Sequence, residues 1–493
     1  MHIRIRTQHS PTRSRNLDIP GSFPQLALLG LLGLAALCPT LPAQADTSEF
    51  RGMNWAVLGD NFSTSPLVLH GLSNSDSYTT VQAKANAVYD AMEASLGVNT
   101  VRLPINTHTV GTAWWDAYRA TIDAATARGF KVILAYWEDG AAAEGRITDL
   151  NAFNTMWEAV VAQYGTHSQV YFEPMNEPYG YEENEWLDLA ASWLSAHPTV
   201  PQNRILIGGT GYSMDLRPVC TDSRFDGTRL SVHHYAFFYG EMSYWNWQTH
   251  FEERLGDCAT RAIVTEFGAP QDTGLDYGNP ASSENFVRHI RAVTQTMHDE
   301  SMGGVYWPGL GGKVTSGQDY DYYSMFTLDG SGTALSLTLQ SASGGNRIRY
   351  GWGDDTEAPR QITNRNSSLV IDVQSPNTAD GANVGQYSAN GSAWQAWFTE
   401  DVGAGYVQLR SQHSGKCLDL NAWSVDDGAN VQQWACHGGA NQHWAFEDTG
   451  DGYVQLVNRH SGLCLEVSGW STANEGNVQQ WDCHGGNNQQ WSF

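Results

Sequence analysis

Short apolar runs alternate with stretches of helical periodicity between about residues 47 and 345. Thr100-Val101-Arg102-Leu103-Pro104-Ile105 is followed by a helical pattern from Trp115 to Arg128, then by Lys131-Val132-Ile133-Leu134. Val170-Tyr171-Phe172, Ile205-Leu206-Ile207-Gly208, Leu230-Ser231-Val232-His233, Ala262-Ile263-Val264-Thr265 and Gly304-Val305-Tyr306-Trp307 continue the series. Runs of this kind, bounded by Pro and Gly, read as buried parallel strands. Their alternation with helices over about 300 residues predicts an α/β fold. At that length a closed (β/α)8 TIM barrel is expected, with a doubly wound open sheet as the other reading. No Gly-x-Gly-x-x-Gly or Walker-type loop follows the first strand, which argues against a nucleotide fold.

The last 130 or so residues repeat with a period of 47. Asp372, Asp419 and Glu466 keep that spacing, as do Trp397, Trp444 and Trp491, each ending a Gln-x-Trp triplet begun by Gln395, Gln442 or Gln489. Cys417/Cys436 and Cys464/Cys483 share a separation of 19, and the first copy has Val370 and Ala389 at both positions. Losing both members together is what a disulfide within each repeat predicts, at about 3 kcal/mol for such a loop. The Gln-x-Trp tryptophans are expected to fill the core. Small and turn-forming residues at Ser341–Gly345 and Gly351–Pro359 suggest a linker. The expected organisation is a leader at 1–45, a catalytic domain at 46–345, a linker at 346–359 and the repeat domain at 360–493.

The leader is basic at Arg4, Arg6, Arg13 and Arg15, apolar from Leu26 to Leu37, and ends in the small-residue signal Ala43-Gln44-Ala45. Export is therefore expected, to the cell exterior or periplasm. Without those four arginines and Asp18, the formal charge goes from −25 to −28, which repels nucleic acid and anionic membranes and suits a neutral partner. Of seven cysteines Cys38 leaves with the leader, and the other six suit three disulfides, with Cys220 and Cys258 as the remaining pair. No spacing looks like a zinc site, so no metal or cofactor is expected, and the mature chain is expected to be a monomer.

Two glutamates close strand-like runs, Glu177 in Glu173-Pro174-Met175-Asn176-Glu177-Pro178 and Glu266 in Thr265-Glu266-Phe267-Gly268. A carboxylate at the C-terminal mouth of a barrel strand is where that fold places its chemistry, and two can share the cutting of a glycosidic bond. With Arg102 ending its strand, Asn176-Glu177-Pro178, His233-His234-Tyr235, Glu266-Phe267-Gly268 and Trp307 in this order, the catalytic half resembles the cellulase family, glycoside hydrolase family 5 of clan A. The resemblance implies a retaining mechanism with Glu177 as acid/base and Glu266 as nucleophile. It implies that Arg102 and Tyr235 support the Glu266 charge, that the Glu266 charge keeps Glu177 protonated, that Asn176 donates to the sugar 2-hydroxyl, and that Trp307 floors the subsite. Arg102 has a second reading as a barrel ion pair and His233 as a hydrogen-bonded core histidine. Glu173 is expected to pair with a basic group. Where many members place a His after the third strand, this chain has Tyr136-Trp137-Glu138-Asp139, so Trp137 is expected to border a different pocket. Phe237-Phe238-Tyr239 to Trp247 forms an aromatic loop suited to stacking on a chain of sugars.

The repeat segment resembles a ricin B-type β-trefoil lectin, carbohydrate-binding module family 13. The resemblance implies a sugar site in the second copy from Asp419, Gln432, Trp434, Asn441 and Gln442, and one in the third from Gln479, Trp481, Asn488 and Gln489, with Glu466 replacing the Asp. The first copy has Gly385 and Tyr387 in place of Gln and Trp and is expected to bind weakly or not at all. Together the halves imply a secreted endo-β-glycosidase acting on cellulose-like β-glucan, xylan, mannan or β-1,6-galactan. A non-catalytic carbohydrate-binding protein with an inactive barrel is the alternative. A two-part toxin is a third reading, against which the barrel half shows no resemblance to a ribosome-inactivating domain.

Overall fold

The computed structural model describes residues 47–138, 144–280, 282–315, 317–354, 359–374 and 377–493. The expected leader and Asp139 lie outside the described residues. Eight strands form one sheet: β1 (Arg51–Leu58), β2 (Thr100–Ile105), β3 (Lys131–Tyr136), β4 (Val170–Glu173), β5 (Leu206–Gly208), β6 (Arg229–His234), β7 (Ala262–Phe267) and β8 (Gly303–Gly312). The order is β4-β3-β2-β1-β8-β7-β6-β5, and every pairing is parallel. A further parallel bridge from Phe172 to Ile205 joins β4 to the chain entering β5, so the sheet curls into a nearly closed barrel and not an open sheet. β1 is the strand the apolar pattern does not single out, because Asn54 interrupts its run.

The runs become strands because nearly every residue in them is buried, inward against the barrel interior or outward against helices. The first helix, Tyr78–Leu96, starts where the Ser77 side chain accepts from the Thr80 amide and stops at Gly97, whose φ of 70° a side chain would resist. Of the stretch Trp115 to Arg128, expected helical, all but Arg128, the C-cap, lies in the helix Ala113–Ala127, started by a Thr112 side-chain cap. Register then aims the chemistry: Asn54 pairs with Arg102 across β1 and β2, and His233 with Glu266 across β6 and β7.

The opening of the expected linker is a helix instead, Ala342–Gly351. It packs on the barrel: Ile348 is buried, Arg347 Nε donates to Thr294 Oγ1 at 2.8 Å, and Trp352 just beyond donates its indole N–H to the Gly304 carbonyl at 2.9 Å. The small residues that suggest a linker serve close approach, since a Cβ on Gly345 would come within 2.8 Å of the Leu96 side chain.

Beyond residue 359 three hairpins repeat, pairing Val370–Val373 with Ala382–Tyr387, Cys417–Leu420 with Val431–Trp434, and Cys464–Val467 with Val478–Trp481. Trp397, Trp444 and Trp491 are buried in one core, and their indoles donate to the carbonyls of Ile371, Leu418 and Leu465 at 3.5, 3.2 and 3.0 Å. This is a β-trefoil. Disulfides join Cys417 to Cys436, Cys464 to Cys483, and Cys220 to Cys258. Arg360 forks onto Asp276 at 2.5 and 2.8 Å, tying the start of the trefoil to the barrel. No described helix is long and apolar enough to cross a membrane.

Candidate active site

The mouth of the barrel is organised by Arg102, the almost fully buried third residue of β2. Its Nη1 donates to Glu266 Oε1 at 2.6 Å and to Asn54 Oδ1 at 3.0 Å, its Nε to Glu173 Oε2 at 2.6 Å, and its Nη2 to Asn176 Oδ1 at 2.6 Å. A buried guanidinium is tolerated only when its donors are used, and this one is paired on three sides. Burial works against the charge, but the carboxylates of Glu173 and Glu266 raise the Arg102 pKa overall. Glu173 takes a second bond from Ser231 Oγ at 2.6 Å, which marks it as part of the scaffold.

Glu266, at the end of β7, also accepts from Tyr235 Oη at 3.1 Å. His233 Nδ1 lies 2.9 Å from Glu177 Oε1 and 3.6 Å from Glu266 Oε2. Oxygens of the two glutamates and a nitrogen of His233 all fall within 4.8 Å of one another. These are also the described residues whose donor atoms a metal ion could share, but the Arg102 guanidinium on Glu266 already supplies positive charge there.

Burial pushes the Glu177 carboxyl up to about 8, opposed by Arg102 and Lys313 and helped by Asp60 and Glu173. The charge of Glu266 was the expected cause, but desolvation leads, and mutual repulsion within the pair registers at Glu266 instead. There burial raises the pKa first, His233 and Arg102 pull it down, and Glu177 pushes it up. Burial lowers His233 to about 4, so it is neutral near pH 7 and its short contact with Glu177 is a hydrogen bond. Asn176 spends its oxygen on Arg102, and its buried Nδ2 has no partner among the described residues.

Above the carboxyls opens a cavity of about 590 Å³. Trp137 stacks on Trp307 with ring centroids 5.2 Å apart and meets Phe62 edge-on at 4.9 Å. On another side Tyr179, Tyr212, Phe238, Phe237 and Tyr235 follow one another in ring contact, at 4.3, 5.0, 4.5 and 4.8 Å. Glu138, next to Trp137, is buried with neither carboxylate oxygen hydrogen-bonded among the described residues, and burial raises its pKa to about 8. Sequence reasoning misses Asn54, Asp60, Tyr179, Tyr212 and the role of Glu138. Asn54 left a signal, a lone polar residue in Met53-Asn54-Trp55-Ala56, whereas Tyr212 sits in a four-residue segment that no pattern marks.

In the trefoil, Asp419 accepts from Gln432 at 3.0 Å, Asn441 at 2.8 Å and Gln442 at 2.9 Å. Glu466 accepts from Gln479, Asn488 and Gln489 at 2.9, 3.1 and 3.2 Å, so it occupies the same place with the longer side chain. Trp434 and Trp481 are each 40% exposed beside these sets. In the first repeat Asp372 accepts from Gln395 at 2.9 Å, and Gly385 and Tyr387 offer no matching amide.

Residues 60–308 match the cellulase (glycosyl hydrolase family 5) model, and 358–491 match the ricin-type beta-trefoil lectin domain. Barrel, mouth and trefoil define a glycosyl hydrolase carrying a carbohydrate-binding module. The chain belongs to the cellulase family, glycosyl hydrolase family 5. Among solved structures it is similar to ThreeFoil, a designed 3-fold symmetric protein, at 48% identity over 27% of this chain and 94% of that one, with a TM-score of 0.27. An exo-beta-1,3-galactanase from Clostridium thermocellum is similar at 35% identity over 34% of this chain and 37% of that one, with a TM-score of 0.28. The Macrolepiota procera ricin B-like lectin in complex with lactose is 21% identical over 27% of this chain and 93% of that one, with a TM-score of 0.25. No curated protein matches the chain.

Proposed function

We propose that the protein is a secreted, retaining endo-β-glycosidase that cuts a neutral plant or microbial polysaccharide, a cellulose-like β-glucan, xylan, mannan or β-1,6-galactan, while its trefoil holds it on the polymer. The observation that carries this reading is the approach of Glu177 and Glu266 oxygens to within 4.8 Å. Retaining enzymes keep their carboxyls about 5–5.5 Å apart, and inverting ones leave about 6.5–9.5 Å for a water. The unequal surroundings support the division of labour. Glu266, bonded by Arg102 and Tyr235, attacks the anomeric carbon as a carboxylate, while Glu177 passes its proton to the glycosidic oxygen as that bond breaks. Water then enters, Glu177 removes its proton, and the new hydroxyl displaces Glu266 from the anomeric carbon. Asn176 Nδ2 donates to the sugar 2-hydroxyl, Trp307 and Trp137 form the floor, and His233 orients Glu177.

The aromatic tract leading away from Glu177 supports a polymeric substrate, and three disulfides support an oxidising, extracellular destination. The negative charge supports a neutral glycan partner, with neither nucleic acid nor membrane bound, and a monomer completes the reading. The test is reducing-end release from a panel of defined polysaccharides by wild type and Glu266→Gln. Release by the wild type, its loss in the variant, and products of retained anomeric configuration by NMR are expected. Inverted products, or a variant as active as wild type, would sink the proposal.

A further inference from the structure

The second and third repeats each present a tryptophan outside the polar sets described above. Trp423 is 47% exposed and Trp470 51%. Both hold left-handed backbone, φ 56° and 55°, directly after a left-handed Ala422 or Gly469. That region is costly for a bulky side chain, and such strain persists where it positions something useful. Each strained turn is tied down at the tryptophan carbonyl, which accepts from His460 Nε2 at 2.9 Å in one repeat and from Asn366 Nδ2 at 3.2 Å in the other.

The surroundings repeat as closely as the strain. Each indole lies nearly parallel to an imidazole, Trp423 to His437 at 6.1 Å and 17°, Trp470 to His484 at 6.0 Å and 15°. Each imidazole Nδ1 accepts from a glycine amide, Gly439 or Gly486, at 3.1 Å. The proton is therefore on Nε2, which lies 3.6 Å from Asp419 or 3.4 Å from Glu466. Those glycines make the room: a Cβ on either would stand 2.7 Å from the indole. An exposed ring gains little from packing, so core filling does not explain a constellation built twice. In the first repeat the same position is Pro376.

Resting on the reading of the trefoil as the attachment module, we propose that Trp423 and Trp470 are the stacking platforms of two sugar sites. Each takes the apolar face of a neutral pyranose within a polysaccharide chain. The carboxylates behind the imidazoles, with Asp426 and Asp427 on the surface, select against anionic sugars. Two such sites on one module bind a polymer bivalently, so losing one costs more than half the retention.

Full-length protein and its Trp423→Gly, Trp470→Gly and double variants are compared by affinity electrophoresis in gels containing arabinogalactan, xylan, mannan or β-glucan, with Trp434→Ala and Trp481→Ala alongside. Glycine removes the indole and accepts the left-handed backbone, so Tm is expected to hold or rise. Retention is expected to weaken at least tenfold in each single variant and to vanish in the double. A fall in Tm accompanying lost retention would assign the indoles to packing and overturn the proposal. So would unchanged retention in the glycine variants, above all if Trp434→Ala and Trp481→Ala abolish it. Wild type unretained in every gel sinks the attachment reading together with this one.

Discussion

Three carboxyls share the mouth of the barrel, and burial treats them alike while their partners do not. Glu266 is bonded by Arg102 and Tyr235, Glu177 touches a neutral His233, and among the described residues no side chain hydrogen-bonds the Glu138 carboxyl. With Glu177 held protonated to about 8, kcat/KM is expected to fall above that pH as the acid is lost. On the other side it falls as Glu266, itself raised above its ordinary 4.5, takes up a proton. Glu177→Gln should abolish the alkaline limb and slow cleavage of unactivated glycosides by about 10²–10⁴-fold, less for a substrate with a good leaving group. Glu138 gives a stability prediction. Its folded pKa near 8 exceeds the ordinary 4.5, so the folded chain keeps a proton that the unfolded one releases. The favourable contribution is whole below pH 4.5 and lost as pH rises toward 8. Glu138→Gln is therefore expected to raise Tm relative to wild type at pH 8 and much less at pH 5, by thermal melts at both. A variant equally stabilised at both pH values would show that the carboxyl is not held neutral.

The loops after β4, β5 and β6 join Tyr179, Tyr212 and Phe238 into one aromatic strip, although the three are far apart in sequence. Tyr179 follows Glu177 by two residues and bonds its amide to the Glu177 carbonyl at 2.9 Å. With Glu177 as the proposed proton donor, which works on the leaving group, the strip is expected on that side of the cut. Tyr212→Ala is expected to raise KM on polysaccharide by about tenfold, the worth of one aromatic contact, and to leave hydrolysis of a short aryl glycoside unchanged. Equal losses on both substrates would move Tyr212 to the other side. Cys220–Cys258 closes a loop spanning 38 residues around β6 and the helix Tyr244–Leu255. Opening it should cost about 4 kcal/mol, seen as a lower denaturation midpoint of the barrel after Cys220→Ser/Cys258→Ser replacement.

At the scale of the molecule, the end of the barrel is the helix that the linker composition conceals. A chain stopped after residue 345 loses Ile348, Arg347 and the Trp352 bond to β8, and should be destabilised by several kcal/mol or fail to fold. One stopped after 354 keeps them and should fold and cut soluble substrates like the full chain. Activity of the longer truncation on insoluble polysaccharide is expected to drop, because the trefoil supplies local concentration and not chemistry. Equal folding of the two truncations, by circular dichroism and melting, would show that the helix adds nothing to the barrel.

Periodicity by itself determined seven of the barrel strands, the three-fold repeat, the buried Gln-x-Trp tryptophans and the two cysteine pairs of the repeats, because each follows from local burial or exact spacing. It could place Glu266 near the end of β7 and Glu177 in the turn after β4, since both positions follow from local sequence. Tertiary structure alone decided that Arg102 joins Glu173, Asn176 and Glu266 at once, that Asn54 supports it, and that Glu138 is buried with no side-chain partner among the described residues. Those facts depend on register across a curled sheet and on how much water is shut out, neither of which is written in any one segment. The glycines of Ala342–Gly351 make the same point. Composition reads them as slack, and only the packed fold shows that they leave room for the side chains of Gln271, Leu96 and Thr294.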